Sequence, residues 1–449
     1  MQLKVAVVGS GPAGFYAADA LLKSDDPTVE VDVIDRLPTP WGLVRLGVAP
    51  DHENIKAVSR AFEKTAARQG FRFFGNVEVG STVSHDDLLR VYDAVVYTVG
   101  AQTDRRLGIP GEDLPGSWAA TEFVAWYNGH PDFQDREFDL SHERVVVVGN
   151  GNVAIDCARM LALTDEELQP TDTTDEATAA INEAGIREIL MLGRRGPVQA
   201  AFTPPELKEL GELAGADVIV DPADLELDPA SAHALEEDRE RARRNYDLLQ
   251  EFAAHAPDGR PRRIVLRFLV SPLAILGDER VEAVEIVRNE LVEDDGRLVA
   301  RPTGETETIP AGLVLRSVGY KGVPLPGVPF DERTGTIPND RGRAEGAERT
   351  YAAGWIKRGP SGVIGTNKKD ATETVEQLLA DARAGKLARD DSSPTLETLL
   401  EERGVNYVAY EGWQAIDAAE RGAGEPLGRP RVKLTSWEQL LEAGRKITR

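Results

Sequence analysis

The fold of this chain is decided near its start by the stretch Val5-Ala6-Val7-Val8-Gly9-Ser10-Gly11-Pro12-Ala13-Gly14. The apolar run predicts a buried strand, and the glycines match the turn that leads from a strand into a helix in dinucleotide-binding domains. Gly9 permits the tight turn, Gly11 lets the backbone approach a pyrophosphate, and Gly14 lets the helix pack on the sheet. Asp35, at the end of the next predicted strand, suits a free ribose diol. We therefore predict a dinucleotide site on a parallel, doubly wound sheet.

A second stretch of the same kind is Val145-Val146-Val147-Val148-Gly149-Asn150-Gly151-Asn152-Val153-Ala154. It predicts another dinucleotide site, with Asn150 and Asn152 placed to bond either phosphate or backbone. The next predicted strand ends in Arg194 and Arg195 rather than in an acid. Two guanidinium groups at the ribose end select a 2′-phosphate through charge-assisted bonds, although a solvated pair of turn arginines is the alternative. The second site therefore favours NADP.

Two dinucleotide sites in one chain suggest hydride transfer between a nicotinamide and a flavin. The first glycine turn alone does not distinguish FAD from NAD, but two later stretches favour FAD. One is the apolar strand 97–101, which ends in small residues, and the other is Gly354-Trp355 followed by Gly362-Val363-Ile364-Gly365. A helix that begins there would stabilise the negative charge of a reduced flavin with its positive end. Trp355 either covers the flavin ring or fills core.

The order of predicted elements gives an α/β fold with two Rossmann-like dinucleotide-binding domains. The predicted segments are the first part of an FAD-binding domain at 1–105, an NADP-binding domain at 106–320, and the second part of the FAD-binding domain with a helical tail at 321–449. Within them we expect one helix over 51–69, a strand pair over 71–79, and antiparallel strands over 263–270 and 282–290.

The composition is that of a globular protein without a nucleic-acid footprint. The 449 residues are 41% hydrophobic and carry a formal net charge of -24, whereas nucleic acid requires a basic surface. Met1 leads directly into a strand, and no apolar run approaches the ~20 residues that span a bilayer, so we expect a cytoplasmic protein. Nothing in the sequence requires more than a monomer. The single cysteine, Cys157, excludes the redox cysteine pair of a disulfide reductase.

Motifs of one known family occur along nearly the whole chain. They lie at residues 9–14, 38–45, 47–52, 149–154, 193–197, 354–360 and 365–370. On these residues the chain resembles the ferredoxin–NADP⁺ reductases of the adrenodoxin reductase type, in their bacterial form. The resemblance implies an FAD enzyme that oxidises NADPH and passes single electrons to a ferredoxin, a small iron–sulfur protein.

The resemblance also implies site residues by match of position. The implied FAD contacts are Ala13, Asp35, Leu43, Val79, Trp355, Gly362, Val363 and Ile364. The implied NADP contacts are Arg105, Asn150, Gly151, Asn152, Val153, Arg194, Arg195, Glu206 and Gly362. His52 and Glu209 match a pair that the family places near the junction of nicotinamide and flavin. Alternatively, His52 only caps or orients the helix that begins near Asp51.

Ferredoxins of this kind are usually acidic, so docking requires a local positive patch. A predicted helix over 231–252 carries candidate docking residues at Arg239, Arg241, Arg243 and Arg244. The same helix carries several acids, so a solvated and self-paired face is the alternative. Two other functions also stay open on the sequence, namely an NADPH-dependent flavin monooxygenase and a redox sensor that binds FAD and NADP without significant turnover.

Overall fold

The strand Gln2–Val8 lies inside a seven-stranded sheet, with parallel partners on both sides. The computed structural model describes residues 2–238, 240–294, 297–362, 364–387 and 394–445. One unit of the chain comprises Met1–Thr103, Asn128–Gln134 and Gly319–Arg449, and the other comprises Asp104–Tyr127 and Asp135–Val318. The chain passes from one unit to the other at 103/104 and at 318/319, next to the boundaries predicted at 105/106 and 320/321. The short segment Asn128–Gln134, predicted within the middle domain, belongs to the first unit.

The first unit is built on a seven-stranded sheet. Its strands, in spatial order, are Asn339–Asp340, Arg343–Ala344, Thr350–Ala352, Ala94–Tyr97, Gln2–Val8, Thr28–Ile34 and Phe71–Phe74. Its helices are Pro12–Leu21, Leu43–Leu46, Glu53–Lys56, Ser59–Ala66, His85–Val91, Trp355–Arg358, Ile364–Arg383, Leu396–Glu402, Tyr410–Gly424 and Trp437–Arg445. Alternate residues of Gln2–Val8 pack into separate apolar clusters, because a central parallel strand is covered on both faces.

The second unit contains a six-stranded parallel sheet and a three-stranded antiparallel sheet. The parallel strands, in spatial order, are Ser117–Ala119, Leu313–Arg316, Arg144–Val148, Glu188–Leu192, Arg262–Arg267 and Ala216–Val220. The antiparallel strands are Val270–Leu276, Ala283–Asp294 and Arg297–Pro310. The helices are Ala120–Tyr127, Asn152–Met160, Asp165–Leu168, Asp175–Asn182, Pro204–Glu212, Pro229–Glu237 and Arg241–Ala254. Short strands at Thr103–Asp104 and Tyr320–Lys321 lie where the chain passes between the units.

Two predicted elements of the first unit are shorter than expected. The helix expected over 51–69 is divided into Glu53–Lys56 and Ser59–Ala66. The strand pair expected over 71–79 reduces to Phe71–Phe74, since Asn76 adopts a left-handed backbone with φ of 61° and turns the chain.

Two predictions in the second unit were also wrong. The strand expected over 263–270 is not antiparallel, because Arg262–Arg267 pairs in parallel with both neighbours. Leu269, with φ of 57°, then turns the chain into the antiparallel sheet. The helix expected over 231–252 is broken at Asp238, whose carboxylate accepts a hydrogen bond of 3.1 Å from the main chain of Arg241.

No helix in the described ranges combines the length and the apolar character needed to cross a membrane.

Candidate dinucleotide sites

The first glycine turn leaves an open cradle at the start of the helix Pro12–Leu21. A Cβ atom at Gly9, where φ is 103°, would lie 2.7 Å from the carbonyl oxygen of Thr98, and one at Gly14 would overlap the carbonyl oxygen of Gly9. A Cβ at Gly11, by contrast, would meet nothing within 4 Å. No described side chain caps this helix, so its N-terminal amides can receive an anion. The turn therefore has room and donors for a pyrophosphate.

Asp35 ties the end of the second strand to this turn. Its Oδ2 accepts hydrogen bonds from the main-chain nitrogen of Ser10 at 2.7 Å and from the Ser10 hydroxyl at 2.5 Å. Its Oδ1 accepts a further bond of 2.9 Å from the main-chain nitrogen of Leu37. Burial raises the pKa of Asp35. The acid thus lies beside the glycine turn, where a ribose-binding carboxylate is expected.

The loop that contains Leu43 lies directly on the first glycine turn. The main-chain nitrogen of Trp41 donates a 2.9 Å hydrogen bond to the carbonyl of Ser10, and a Cβ at Gly42 would lie 3.0 Å from the Cα of Gly11. Leu43 is 41% exposed, an apolar side chain left uncovered beside the cradle. This arrangement fits a large organic cofactor that covers Leu43.

The later FAD candidates are distributed over several segments. Gly354, with φ of 77°, approaches the first helix so closely that a Cβ there would lie 2.6 Å from the Cβ of Ala13. Trp355 is half-buried at 5.2 Å from Tyr320, and its buried Nε1 has no hydrogen-bond partner in the described part of the chain. The remaining candidates are buried Val79, exposed Gly362, Ile364 at the start of Ile364–Arg383, and Val363, which lies outside the described residues.

The second glycine turn repeats the geometry of the first. A Cβ at Gly149, where φ is 137°, would overlap the carbonyl oxygen of Ser317, whereas one at Gly151 would meet nothing within 4 Å. Gly151 stands at the start of Asn152–Met160, which begins with Asn152 and Val153 and has no side-chain cap among the described residues. This turn also offers open space and helix amides to a phosphate.

The two asparagines of the second turn have different surroundings. The Asn150 Nδ2 is buried and has no hydrogen-bond partner within the described ranges. The Asn152 Oδ1 accepts a 2.9 Å hydrogen bond from the main-chain nitrogen of Thr203. Asn152 therefore binds backbone, whereas Asn150 presents a buried donor that a bound nucleotide can satisfy.

Arg194 and Arg195 stand where the strand Glu188–Leu192 ends. The side-chain amide of Asn289 holds the carbonyl of Arg194 at 2.9 Å, and the main-chain nitrogen of Leu269 holds the carbonyl of Arg195 at 3.1 Å. Neither guanidinium has an acidic partner in the part of the chain described. Burial, together with the positive charges of Arg194 and Arg241, lowers the pKa of Arg195. Uncompensated cations at this edge fit a 2′-phosphate.

A buried arginine connects two acids that the sequence had singled out. Arg159 Nη1 lies 3.4 Å from Glu206 Oε2 and 3.4 Å from Glu209 Oε2, while its Nη2 lies 2.9 Å from Asp156. Arg159 is only 2% exposed. Sequence reasoning missed this residue, although a charged side chain on the apolar face of the second glycine-turn helix was a usable signal.

His52 belongs to the first unit, and Glu209 belongs to the second. His52 precedes the helix Glu53–Lys56, and its carbonyl accepts hydrogen bonds from Ile55 at 3.1 Å and Lys56 at 3.2 Å. Its imidazole does not cap that helix. Side-chain capping therefore does not explain the residue.

The predicted docking arginines differ in how they are paired. Arg241 lies 3.9 Å from Asp238, and Arg243 lies 3.1 Å from Asp247. Arg244 is exposed and has no acidic partner among the residues described. Arg239 lies outside the described residues. Arg105, a predicted NADP contact, is exposed just after the strand Thr103–Asp104.

Two glycine turns, each at the carboxyl end of a parallel strand and each in its own unit, define a two-dinucleotide-binding oxidoreductase. Residues 3–191 match the family described as pyridine nucleotide-disulphide oxidoreductase. The chain is 52% identical to the NADPH-ferredoxin reductase FprA of Mycobacterium tuberculosis (strain ATCC 25618 / H37Rv) over 98% of both chains. It is 42% identical to the mitochondrial NADPH:adrenodoxin oxidoreductase of Arabidopsis thaliana over 98% of this chain and 95% of that one.

A solved structure of M. tuberculosis FprA in complex with NADPH superposes with a TM-score of 0.94 at 50% identity, and covers 99% of this chain and 100% of that one. The chain belongs to the NADPH–ferredoxin reductase family, within which it is related to the adrenodoxin reductases. The resemblance inferred from the motifs is therefore confirmed, as is the α/β fold with two dinucleotide-binding domains.

Proposed function

We propose that this chain is an FAD-dependent reductase that oxidises NADPH and passes single electrons to a ferredoxin. One observation carries the proposal: two glycine turns hold open cradles at helix starts that no described side chain caps, and after only the second turn do arginines follow that have no acidic partner among the described residues. When bound, FAD would take up two electrons from NADPH and release them one at a time to the acceptor.

The residues of the first unit bind and orient FAD. The helix that begins at Pro12 would hold the pyrophosphate of FAD through its N-terminal amides, and Asp35 would accept hydrogen bonds from the ribose hydroxyls. Leu43 and Trp355 supply apolar contacts to the cofactor and exclude water from it.

The residues of the second unit bind and select NADPH. The helix start at Asn152 and the buried amide of Asn150 hold the phosphates, and Arg194 with Arg195 holds the 2′-phosphate. Arg159 keeps the carboxylates of Glu206 and Glu209 in place for contacts with the nucleotide. We assign Glu209 and His52 to the orientation of the nicotinamide, an assignment that single substitutions test through the rate of flavin reduction.

The acceptor docks, in this proposal, at a basic patch that includes Arg243 and Arg244. Arg244 is the stronger candidate, because its charge is not neutralised by a described acid, whereas Arg243 pairs with Asp247. The positive charge of Arg241 is one of the causes that lower the pKa of Arg195, so we assign Arg241 to the 2′-phosphate site rather than to the docking patch. We further propose a monomer located in the cytoplasm, which sedimentation and cell fractionation respectively test.

The proposal is tested by anaerobic stopped-flow mixing of the purified, flavin-loaded protein with NADPH and with NADH. We expect rapid bleaching of the flavin by NADPH and much slower bleaching by NADH. Arg194→Ala should weaken NADPH binding about tenfold or more, as expected for loss of a charge-assisted bond, and leave the NADH rate unchanged. Arg187→Ala, an exposed arginine of the same unit, is the matched control.

Protein that binds no flavin, or a flavin that NADPH does not reduce, would overturn the assignment. Steady NADPH turnover with ferricyanide would dismiss a sensor without turnover. NADPH oxidation that depends on an organic substrate and oxygen would favour a monooxygenase instead.

A further inference from the structure

A carboxylate from the C-terminal tail, which comprises the helices Tyr410–Gly424 and Trp437–Arg445, is buried beside the loop that contains Leu43. Glu420, in the helix Tyr410–Gly424, is fully buried. It accepts two hydrogen bonds from Arg45, at 2.8 Å from Nη1 and 2.5 Å from Nη2. It also accepts bonds from Arg431 at 3.0 Å and from the main-chain nitrogen of Leu434 at 2.9 Å. Burial alone would raise the pKa of Glu420, but Arg45 and Arg431 lower it, so the carboxylate stays ionised.

Arg45 connects Glu420 to the loop that contains Leu43. It belongs to the helix Leu43–Leu46, directly after Trp41 and Gly42, whose φ angles are 84° and 51°. A left-handed backbone is costly for a tryptophan and persists only where the surroundings hold it. Trp413 of the tail helix supplies that support, because its ring lies edge-on to Trp41 at 4.9 Å and beneath the Arg45 guanidinium at 5.2 Å.

The tail also contacts a second segment, at Arg36, next to Asp35, the acid proposed to bind the ribose of FAD. The indole of Trp437 donates a 2.7 Å hydrogen bond to Asp132, which also pairs with Arg36 at 2.6 Å. The Arg36 guanidinium lies 5.7 Å from the Trp437 ring. Arg36 directly follows Asp35 in the chain. Two separate anchors of the tail therefore reach both segments that border the first glycine turn.

We propose that Glu420 is a positioning residue for the flavin: through Arg45 it holds the Trp41–Gly42–Leu43 turn against Gly11. The inference rests on the proposed FAD site. Apolar side chains would fill a buried space as stably as an ion pair does, so stability alone does not require these charges. The two parallel hydrogen bonds between the planar guanidinium and the carboxylate instead fix the orientation of Arg45. They thereby fix the position of the Trp41–Gly42–Leu43 turn.

The test compares flavin release from four purified holoproteins: wild type, Glu420→Gln, Arg45→Lys and Glu411→Gln. Glu411→Gln is the matched control, since Glu411 is an exposed residue of the same helix. Release is followed as the rise in flavin fluorescence after dilution. We expect roughly tenfold faster release from Glu420→Gln, an effect that corresponds to ~1.4 kcal/mol, and no change in the control. Arg45→Lys, which keeps the charge but loses the paired geometry, should also release faster.

A second measurement separates positioning from stability. The midpoint potential of the flavin and the KM for NADPH are measured for each variant that retains flavin. A displaced turn should shift the flavin potential and lower kcat while KM for NADPH changes less than about twofold, because the residues proposed to hold the phosphates of NADPH belong to the other unit. If Glu420→Gln does not fold, Arg45→Lys carries the test alone.

The outcomes distinguish this inference from the proposed function. Wild-type protein that never binds FAD would overturn the proposed function itself. Wild-type protein that binds FAD, with Glu420→Gln or Arg45→Lys releasing it at the wild-type rate and with an unchanged potential, would overturn only the role of Glu420.

Discussion

Arg159 and Glu206 form a buried ion pair at 3.4 Å between the glycine-turn helix of the second unit and the helix Pro204–Glu212. The same guanidinium reaches Glu209 on that second helix. One cation thus holds, from within the core, two acids assigned to the nucleotide site. Their orientation depends on a residue that need not touch the nucleotide.

Replacing Arg159 should therefore affect stability and nucleotide binding together. Arg159→Met leaves three carboxylates without their shared cation, and breaking a buried pair costs about 3–5 kcal/mol. We expect that loss in chemical denaturation, with a higher KM for NADPH in the protein that remains folded. Arg159→Lys should recover part of both effects. Lys208→Met, on the exposed face of the same acidic helix, is the control and should change stability by less than about 1 kcal/mol. Equal stability of Arg159→Met and wild type would contradict the role given to Arg159.

Two glycines of the first turn should respond differently to the same substitution. Gly11→Ala adds a methyl group where nothing lies within 4 Å, so the protein should fold normally but lose FAD because the methyl occupies the cradle. Gly14→Ala adds a methyl group that overlaps the Gly9 carbonyl, so folding itself should be impaired. Thermal unfolding of the flavin-free proteins and their FAD content after reconstitution check both statements. Full FAD binding by Gly11→Ala would show that the pyrophosphate lies elsewhere.

His130 should make the protein less stable in acid. Burial and the nearby Arg36 lower its pKa from 6.5 to about 4, and Asp132 only partly opposes this. The neutral imidazole accepts a 3.2 Å hydrogen bond at Nδ1 from the main-chain nitrogen of Asp132. Because the unfolded chain binds this proton first, stability should fall as pH drops from about 6.5 to about 4, by up to about 3 kcal/mol. Denaturation curves at pH 7 and pH 4.5 for wild type and His130→Asn measure the effect. A wild-type loss no larger than that of His130→Asn would refute it.

Charge reversal at the proposed docking patch should slow electron transfer to ferredoxin only. Arg244→Glu is expected to lower the rate of ferredoxin-dependent cytochrome c reduction, most strongly at low ionic strength, because complementary charge mainly accelerates association. Reduction of ferricyanide by NADPH should not change. Arg301→Glu, an exposed arginine of the same unit that pairs with Asp294, is the matched control. Equal slowing by both substitutions would indicate a general effect of net charge rather than a docking site.

Local patterns in the sequence were sufficient to predict the family, the two glycine turns, and the acid or the arginines that follow each turn. Gly9 and Gly149 are required by positive φ and by close backbone contacts, which a turn of this type imposes wherever it occurs. Local patterns failed where one backbone conformation redirected the chain. The left-handed Leu269 is an example, since an apolar leucine gives no sign in the sequence that the strand ends before it.

The sequence by itself determined the class of protein and the places where its nucleotides are expected, because these depend on residues of a single βαβ unit, from Gly9 to Asp35 and from Gly149 to Arg194. Only the tertiary structure decided how those places are held. It pairs Asn152 with the backbone at Thr203, sets Arg159 between Glu206 and Glu209, and buries Glu420 against Arg45, 375 positions away. Such pairs have no fixed spacing along the chain, since they form only when packing brings distant helices together and removes their charged groups from water.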